Sequence, residues 1–196
     1  AVIAASLSGV KKIIFVVNNL AESYSSLTRI LDYPVDRFIV KKVDFFITAS
    51  VAAKDRLNKV LSLNDNKIIN IHNGIKLRSS QETINDTRHR LGLKGRKTTI
   101  FGVVALLIPR KGHKIVISAI EEILKKKIND FIVLIEGKGE LKKELENEAK
   151  IKNLEKYCVF VGVEKNIIDF ISVLDFVVLP SINNEDFPNV ILEAMG

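Results

Sequence analysis

The sequence has one cysteine, four prolines and ten glycines in 196 residues, and no apolar run near the ~20 residues that a membrane-crossing helix needs. Each scarcity excludes something. With a single thiol, Cys158, no disulfide can close within the chain. Its place in the apolar run Tyr157-Cys158-Val159-Phe160-Val161 reads as a buried side chain in a protein of a reducing compartment. So few backbone breakers, with 47% hydrophobic and 27% charged residues, exclude collagen and disorder. They describe a soluble globular chain with material for one good core or two small ones. The three histidines, His72, His89 and His113, stand far apart with no second ligand at metal spacing and no cysteine pair. There is no Ser-His-Asp order, no nucleophile elbow, no short repeat and no low-complexity tract. Neither a metal nor a cofactor is expected.

What is present begins with charge. Thirty Lys and Arg against twenty-three Asp and Glu leave +7, which suits a nucleic acid, an anionic membrane face or a phosphorylated small molecule. The basic residues are scattered. Their one tight cluster, Lys125-Lys126-Lys127, closes an apolar helix pattern, where cations meet the negative end of the helix dipole. Basic residues interleaved with base-stacking aromatics are missing, so nucleic acid is not expected as a partner. Residues 1–7 read as the tail of a helix that Gly9 closes, without a signal-peptide pattern, and residues 189–196 stop inside a young helix. Both ends read as cut from something longer.

Apolar runs at residues 13–17, 45–49, 67–71, 99–105, 131–135, 159–163 and 176–179 are mostly continuous, the pattern of strands covered on both faces. Helix spacing fills residues 51–61, 114–124, 141–154 and 166–173. Strand alternating with helix predicts an α/β doubly wound architecture with parallel sheets. The helix at 141–154 also carries Glu146 before Lys150 and Glu148 before Lys152, the favourable order for pairs four apart on a solvated face. A polar stretch between Lys76 and Lys97, with a short helix at Arg88 to Leu91, reads as a hinge between residues 1–75 and 76–196.

The most informative segment runs from Pro180 through Glu185, Asp186, Phe187, Pro188, Asn189 and Val190 to Glu193 and Gly196. Pro188 suits a first helical turn, because its fixed φ is already helical and its absent N–H would be unpaired there. The amides of Asn189 and Val190 would then face an anion at the helix start. Glu185 and Glu193, with seven residues between them, flank this turn. One such acid would be simple capping, whereas two around an aromatic-Pro-Asn turn read as a grip on sugar hydroxyls, which donate hydrogen bonds to carboxylates. Gly137-Lys138-Gly139 lacks the third glycine of a dinucleotide fingerprint, with Lys142 in its place, and reads as a tight turn.

The segment from Glu185 to Met195 resembles the Glu, seven residues, Glu signature of the GT-B-fold, nucleotide-sugar-dependent glycosyltransferases, specifically the retaining group 4 enzymes, with Asp186 where that family carries glycine. The stretch from Phe101-Gly102 to Lys111-Gly112 is similar to the family's glycine, arginine, leucine and lysine-glycine segment. Ile135-Glu136-Gly137-Lys138-Gly139 resembles its Gly-x-Gly loop, Ile69 to Ile75 its Asn-Gly junction, and Phe46 to Ser50 an acceptor-side strand that ends in serine.

The resemblance implies two Rossmann-like lobes, both incomplete: residues 1–75 on the acceptor side, and 76–196 as hinge and donor lobe. It implies transfer of a hexose from a nucleoside diphosphate sugar to a saccharide or lipid-linked acceptor, with retention, in bacterial-type surface polysaccharide or glycolipid synthesis. The setting would be cytoplasmic, with peripheral contact to the anionic inner membrane face, and the 196 residues alone would be inactive. Lys111 would meet the donor diphosphate, Glu193 the ribose and Glu185 the transferred sugar near its reacting carbon. Asn189 would pin the turn or touch the donor, Val190 would offer its amide, Phe187 would pack beside the site, and Gly102 would belong to the donor segment.

Two positions depart from the family pattern. Leu106 stands where an arginine is usual, five residues before Lys111, and Val16-Val17-Asn18-Asn19 has no histidine. A charge-assisted contact is worth roughly 1.5 to 3 kcal/mol, so loss of the arginine would weaken donor binding by about one to two orders of magnitude unless Arg110 substitutes. The alternative is therefore a non-catalytic nucleotide-sugar-binding module with a decayed transferase site.

Overall fold

Alternating strands and amphipathic helices build two separate parallel sheets. The computed structural model describes residues 2–17, 38, 40–61, 63, 65–76, 78–93, 95, 97–183 and 185–196. Asn18, Asn19 and Leu77 lie outside them. Residues 1–74 with 184–188 make one compact unit, and residues 75–183 with 189–196 the other.

In the first unit, strands β1 (Ile14–Val17), β2 (Phe45–Thr48) and β3 (Ile68–Asn70) lie side by side in that order. Ile14 sits opposite Phe45, and Phe46 opposite Ile68. Helix α1 is Val2–Leu7, and α2, Val51–Leu61, starts where the Ser50 hydroxyl accepts from the Ala53 amide (3.1 Å). Val2, Val17, Val43, Phe46, Leu57 and Ile68 form its core. β1 departs from the expectation of coverage on both faces: Ile14, Phe15 and Val16 are exposed and only Val17 is buried. Among the described residues β1 is an edge strand, with a neighbour on one side only.

The second unit holds β4 (Thr99–Val104), β5 (Phe131–Glu136), β6 (Cys158–Gly162) and β7 (Phe176–Val177), in the order β6-β5-β4-β7. All pair in parallel. Its helices are α3 (Ile84–Arg90), α4 (His113–Lys125), α5 (Lys142–Ile151), α6 (Ile167–Ser172) and α7 (Asn189–Met195). Every residue of β5 is buried, as a continuous apolar run in a central strand requires. Phe131, Val133 and Ile135 pack with Val116, Ile117 and Ile120 of α4 and Leu145 of α5. Ile132 and Leu134, pointing the other way, pack with Ile100, Leu93 and Phe170. The buried positions of α4 recur at intervals of three and four, the stripe that a helix lays on a sheet.

Side chains start the shorter helices. Thr83 accepts from the Asp86 amide (3.2 Å) at α3, which begins earlier than the expected Arg88, and Asn166 accepts from the Ile168 amide (3.2 Å) at α6. On α5, Glu148 pairs with Lys152 as expected (3.3 Å), but Glu146 turns to Lys142 (3.7 Å) rather than to Lys150. Cys158 is buried, and burial pushes its thiol up to about 12. No helix among the described residues is long and apolar enough to cross a membrane.

The polar segment ahead of α3 is tied down by one acid. Asp169 is buried in α6 and accepts from the Ser80 hydroxyl (2.7 Å), the Gln81 amide (2.7 Å) and the Glu82 amide (3.3 Å). Burial opposes its charge, yet these donors outweigh that and hold its carboxyl below the usual range. A depressed folded pKa gives stability that is present above the unfolded value of about 3.9 and is lost as pH falls through the folded value. The melting temperature should therefore fall as pH is lowered from about 5 toward 3, and Asp169→Asn should flatten part of that slope while lowering the melting temperature at neutral pH. An unchanged slope in the variant would refute the assignment.

Candidate active site

In a doubly wound sheet, ligands meet the carboxyl ends of the strands where the strand order reverses. β4 is the first strand of the second sheet, with β5 and β6 on one side and β7 on the other. The reversal lies between the loops that follow β4 and β7.

The loop after β4 is fixed by backbone contacts. The Ala105 amide donates to the Glu136 carbonyl (3.1 Å), the Leu107 amide to the Lys138 carbonyl (2.9 Å), and the Leu141 amide to the Leu107 carbonyl (3.0 Å). A Cβ on Gly137, whose φ is +138°, would run into the Ala105 carbonyl, and one on Gly139 into that of Leu107. Gly137-Lys138-Gly139 is thus a site of close backbone approach between two loops, rather than the local tight turn expected from sequence.

The chain next makes a 3-10 turn, Pro109–Lys111, in which the Lys111 amide donates to the Ile108 carbonyl (3.1 Å). Gly112 follows at φ +70°, caps α4 and lies against the Pro180 carbonyl, where no side chain fits. The Ile182 amide donates to the Arg110 carbonyl (2.9 Å), so the loop after β7 is clasped to this turn. Lys111, half-buried, ends the turn just ahead of α4. Leu106 is half exposed, at 50%, and so is not part of the packed core.

His113 is the first residue of α4 and is 1% exposed. Neither ring nitrogen has a hydrogen-bond partner among the described residues. Burial, and then the charge of Lys111, hold its imidazole below the ordinary value, so it is neutral at pH 7.

Asn189 and Val190 open α7, which packs against α6 and carries a half-buried Glu193. Glu185, Asp186 and Phe187 belong to the first unit. There the Asp186 carboxylate pairs with Arg56 of α2, the Phe187 ring stacks on His72 (5.0 Å between centroids), and the Asn73 side-chain amide donates to the Phe187 carbonyl (3.3 Å). The candidates therefore fall in two sets, Glu185 and Phe187 in the first unit and Lys111, Asn189, Val190 and Glu193 in the second.

Gly102 joins neither set. It is buried in β4, two residues short of the strand end, and the Leu174 side chain fills the space its Cβ would take. Its lack of a side chain answers to packing, and Ala105 is the residue at the mouth of the loop. Sequence reasoning also missed the unpaired imidazole of His113 and the Arg56–Asp186 pair. Only a histidine directly after Lys-Gly marks the first, and nothing local marks the second. Among the described residues no group of three or more His, Cys, Asp or Glu is placed to hold a metal ion.

The family model described as "Glycosyl transferases group 1" matches residues 84–196, more than half of the chain. The chain belongs to the glycosyl transferases group 1 family. No curated protein matches it significantly. Among solved structures, this family member is similar to HepE of Anabaena, determined with UDP and glucose. They are 21% identical with a TM-score of 0.81, over 99% of this chain and 53% of that one. WaaG, a glycosyltransferase involved in lipopolysaccharide biosynthesis, is 13% identical with a TM-score of 0.75, over 98% and 59%. A glycosyltransferase from Rickettsia africae is 16% identical with a TM-score of 0.72, over 92% and 48%. These likenesses show the GT-B fold of two Rossmann-like α/β parts, and the chain spans about half the length of these three structures.

The clasp at Gly112 can be checked directly. Gly112→Ala should cost about 2 kcal/mol or more in chemical denaturation, since it adds left-handed strain to a collision with a backbone carbonyl. A change within about 0.5 kcal/mol would mean the loops are not locked there.

Proposed function

We propose that this chain carries the donor-side machinery, and part of the acceptor side, of a retaining hexosyltransferase of group 4 that uses a nucleoside diphosphate sugar. The observation that carries the reading is Lys111, presented by a clasped turn at the reversal point of the sheet, just ahead of a 13-residue helix. A lysine there adds a point charge to the free amides and dipole of the helix, a combination suited to a diphosphate. UDP and glucose in HepE, and UDP-glucose in another structure of it, support this chemistry.

Residues 76–196 would bind the donor and residues 1–75 face the acceptor. Lys111 and the amides of Asn189 and Val190 stabilise charge on the leaving diphosphate, an electrostatic contribution prepared before the reaction. Glu193 holds the ribose hydroxyls, and Glu185 holds the hexose near its reacting carbon, beside Phe187. The acceptor is a saccharide or lipid-linked hydroxyl in bacterial-type surface polysaccharide or glycolipid synthesis. A cytoplasmic protein with a +7 charge would meet the anionic inner membrane face peripherally.

A second reading has its own observation. Leu106, half exposed where the family usually has arginine, leaves the diphosphate without that cation, as a non-catalytic nucleotide-sugar-binding module would allow. Donor binding without turnover in a protein that holds both complete lobes would favour it.

Calorimetry with UDP, GDP and ADP tests the donor site. Glu193→Ala should weaken the preferred nucleotide by about ten- to a hundredfold, the worth of a charged hydrogen bond, whereas Glu185→Ala should leave diphosphate affinity unchanged and weaken only the nucleotide sugar. Equal losses in both variants would refute the division of roles. Leu106→Arg should tighten diphosphate binding by up to the roughly 1.5 to 3 kcal/mol of a charge-assisted contact. Because Leu106 is half exposed, the melting temperature should hold. No gain in affinity would argue against a diphosphate beside that loop.

A further inference from the structure

We propose that His113 is a donor-binding residue, in which one imidazole N–H donates to an oxygen of the diphosphate held at Lys111. The inference rests on the reading of the Lys111 turn as the diphosphate site and assigns it a second side chain. Three observations carry it. The imidazole is 1% exposed and both its nitrogens lack a partner among the described residues, so the folded protein bears an unpaired polar group that a ligand could satisfy. His113 is the first residue of a 13-residue helix, and side chains in helices tilt toward the N-terminus, here toward the carboxyl ends of the strands. The remaining buried positions of this helix, Val116, Ile117 and Ile120, are apolar, so packing alone would be served as well by leucine.

The chemistry suits an anionic acceptor. Burial and the adjacent Lys111 keep the ring neutral, and a neutral imidazole has one N–H to give. Diphosphate oxygens are acceptors and need donors. A ring that stays neutral beside a lysine adds a directed hydrogen bond without placing a second cation against the first.

The experiment compares the unaltered protein with His113→Leu, His113→Asn and His113→Gln, measuring UDP affinity by calorimetry and nucleotide-free stability by thermal unfolding. His113→Leu should raise the melting temperature, because it removes an unpaired buried polar group, and should weaken UDP by about tenfold or more. The better of Asn and Gln, each keeping an N–H near a ring-nitrogen position, should remain within about threefold of the unaltered protein. A leucine variant that binds UDP as tightly as the unaltered protein overturns the inference and leaves the donor site standing. If the unaltered protein binds none of UDP, GDP and ADP, the donor site itself falls, and His113 with it. Should the leucine variant not fold, the ring N–H proton resonance of His113 in the unaltered protein decides: a downfield shift on adding UDP supports the contact, and an unmoved resonance overturns it.

Discussion

The placement of Lys111 depends on the close approach of loop backbones at the carboxyl end of the second sheet. Gly112 against Pro180, Gly137 against Ala105 and Gly139 against Leu107 leave no room for a Cβ. Hydrogen bonds from Ala105, Leu107, Leu141 and Ile182 hold the same loops together. The turn before α4 is built mostly from main chain, whose groups must be paired when buried. Lys111 is therefore presented from a turn whose backbone is held by its neighbours.

The same end of the sheet carries polar groups that cost stability. His113 is buried without hydrogen-bond partners among the described residues. Glu136, the last residue of β5, is buried too, and accepts from the Glu164 amide (3.1 Å). Burial first, and the nearby Glu164 carboxylate as well, push its pKa up, while Arg90 holds Glu164 from the far side (2.8 Å). A raised folded pKa gives stability that is full at low pH and fades as pH rises through the folded value, the reverse of Asp169. One small unit thus holds buried acids with opposite pH signs: Asp169, whose donors outweigh its burial, steadies a connection, whereas at Glu136 burial prevails.

The chain path divides the segment from Glu185 to Glu193 between the two units. After Asn183 the chain contributes residues to the first unit, then returns to the second at Asn189. Asp186 pairs with Arg56 and so adds an ion pair to the contacts of Phe187 with His72 and Asn73. The two glutamates, separated by a short stretch of sequence, are thereby carried by different units.

The α/β class with parallel sheets was legible in the sequence because it rests on local periodicity. β5 is a short apolar run that ends in Glu136, α2 and α4 keep helix spacing, and such patterns survive without knowledge of their neighbours. The stretch from Glu185 to Met195 likewise pointed to the family unaided. Strand coverage was less legible: the apolar run of β1 looks like that of β5, yet it lies at an edge of the described sheet with three exposed side chains. Gly102 reads in sequence as part of a donor segment, and only its contact with Leu174, far along the chain, shows that packing demands it. Nor can spacing show that the His113 ring is buried or that Arg56 meets Asp186. Periodicity records which face of an element is apolar; which atoms then meet across the core, and which buried groups find none to meet, is decided only when distant segments pack.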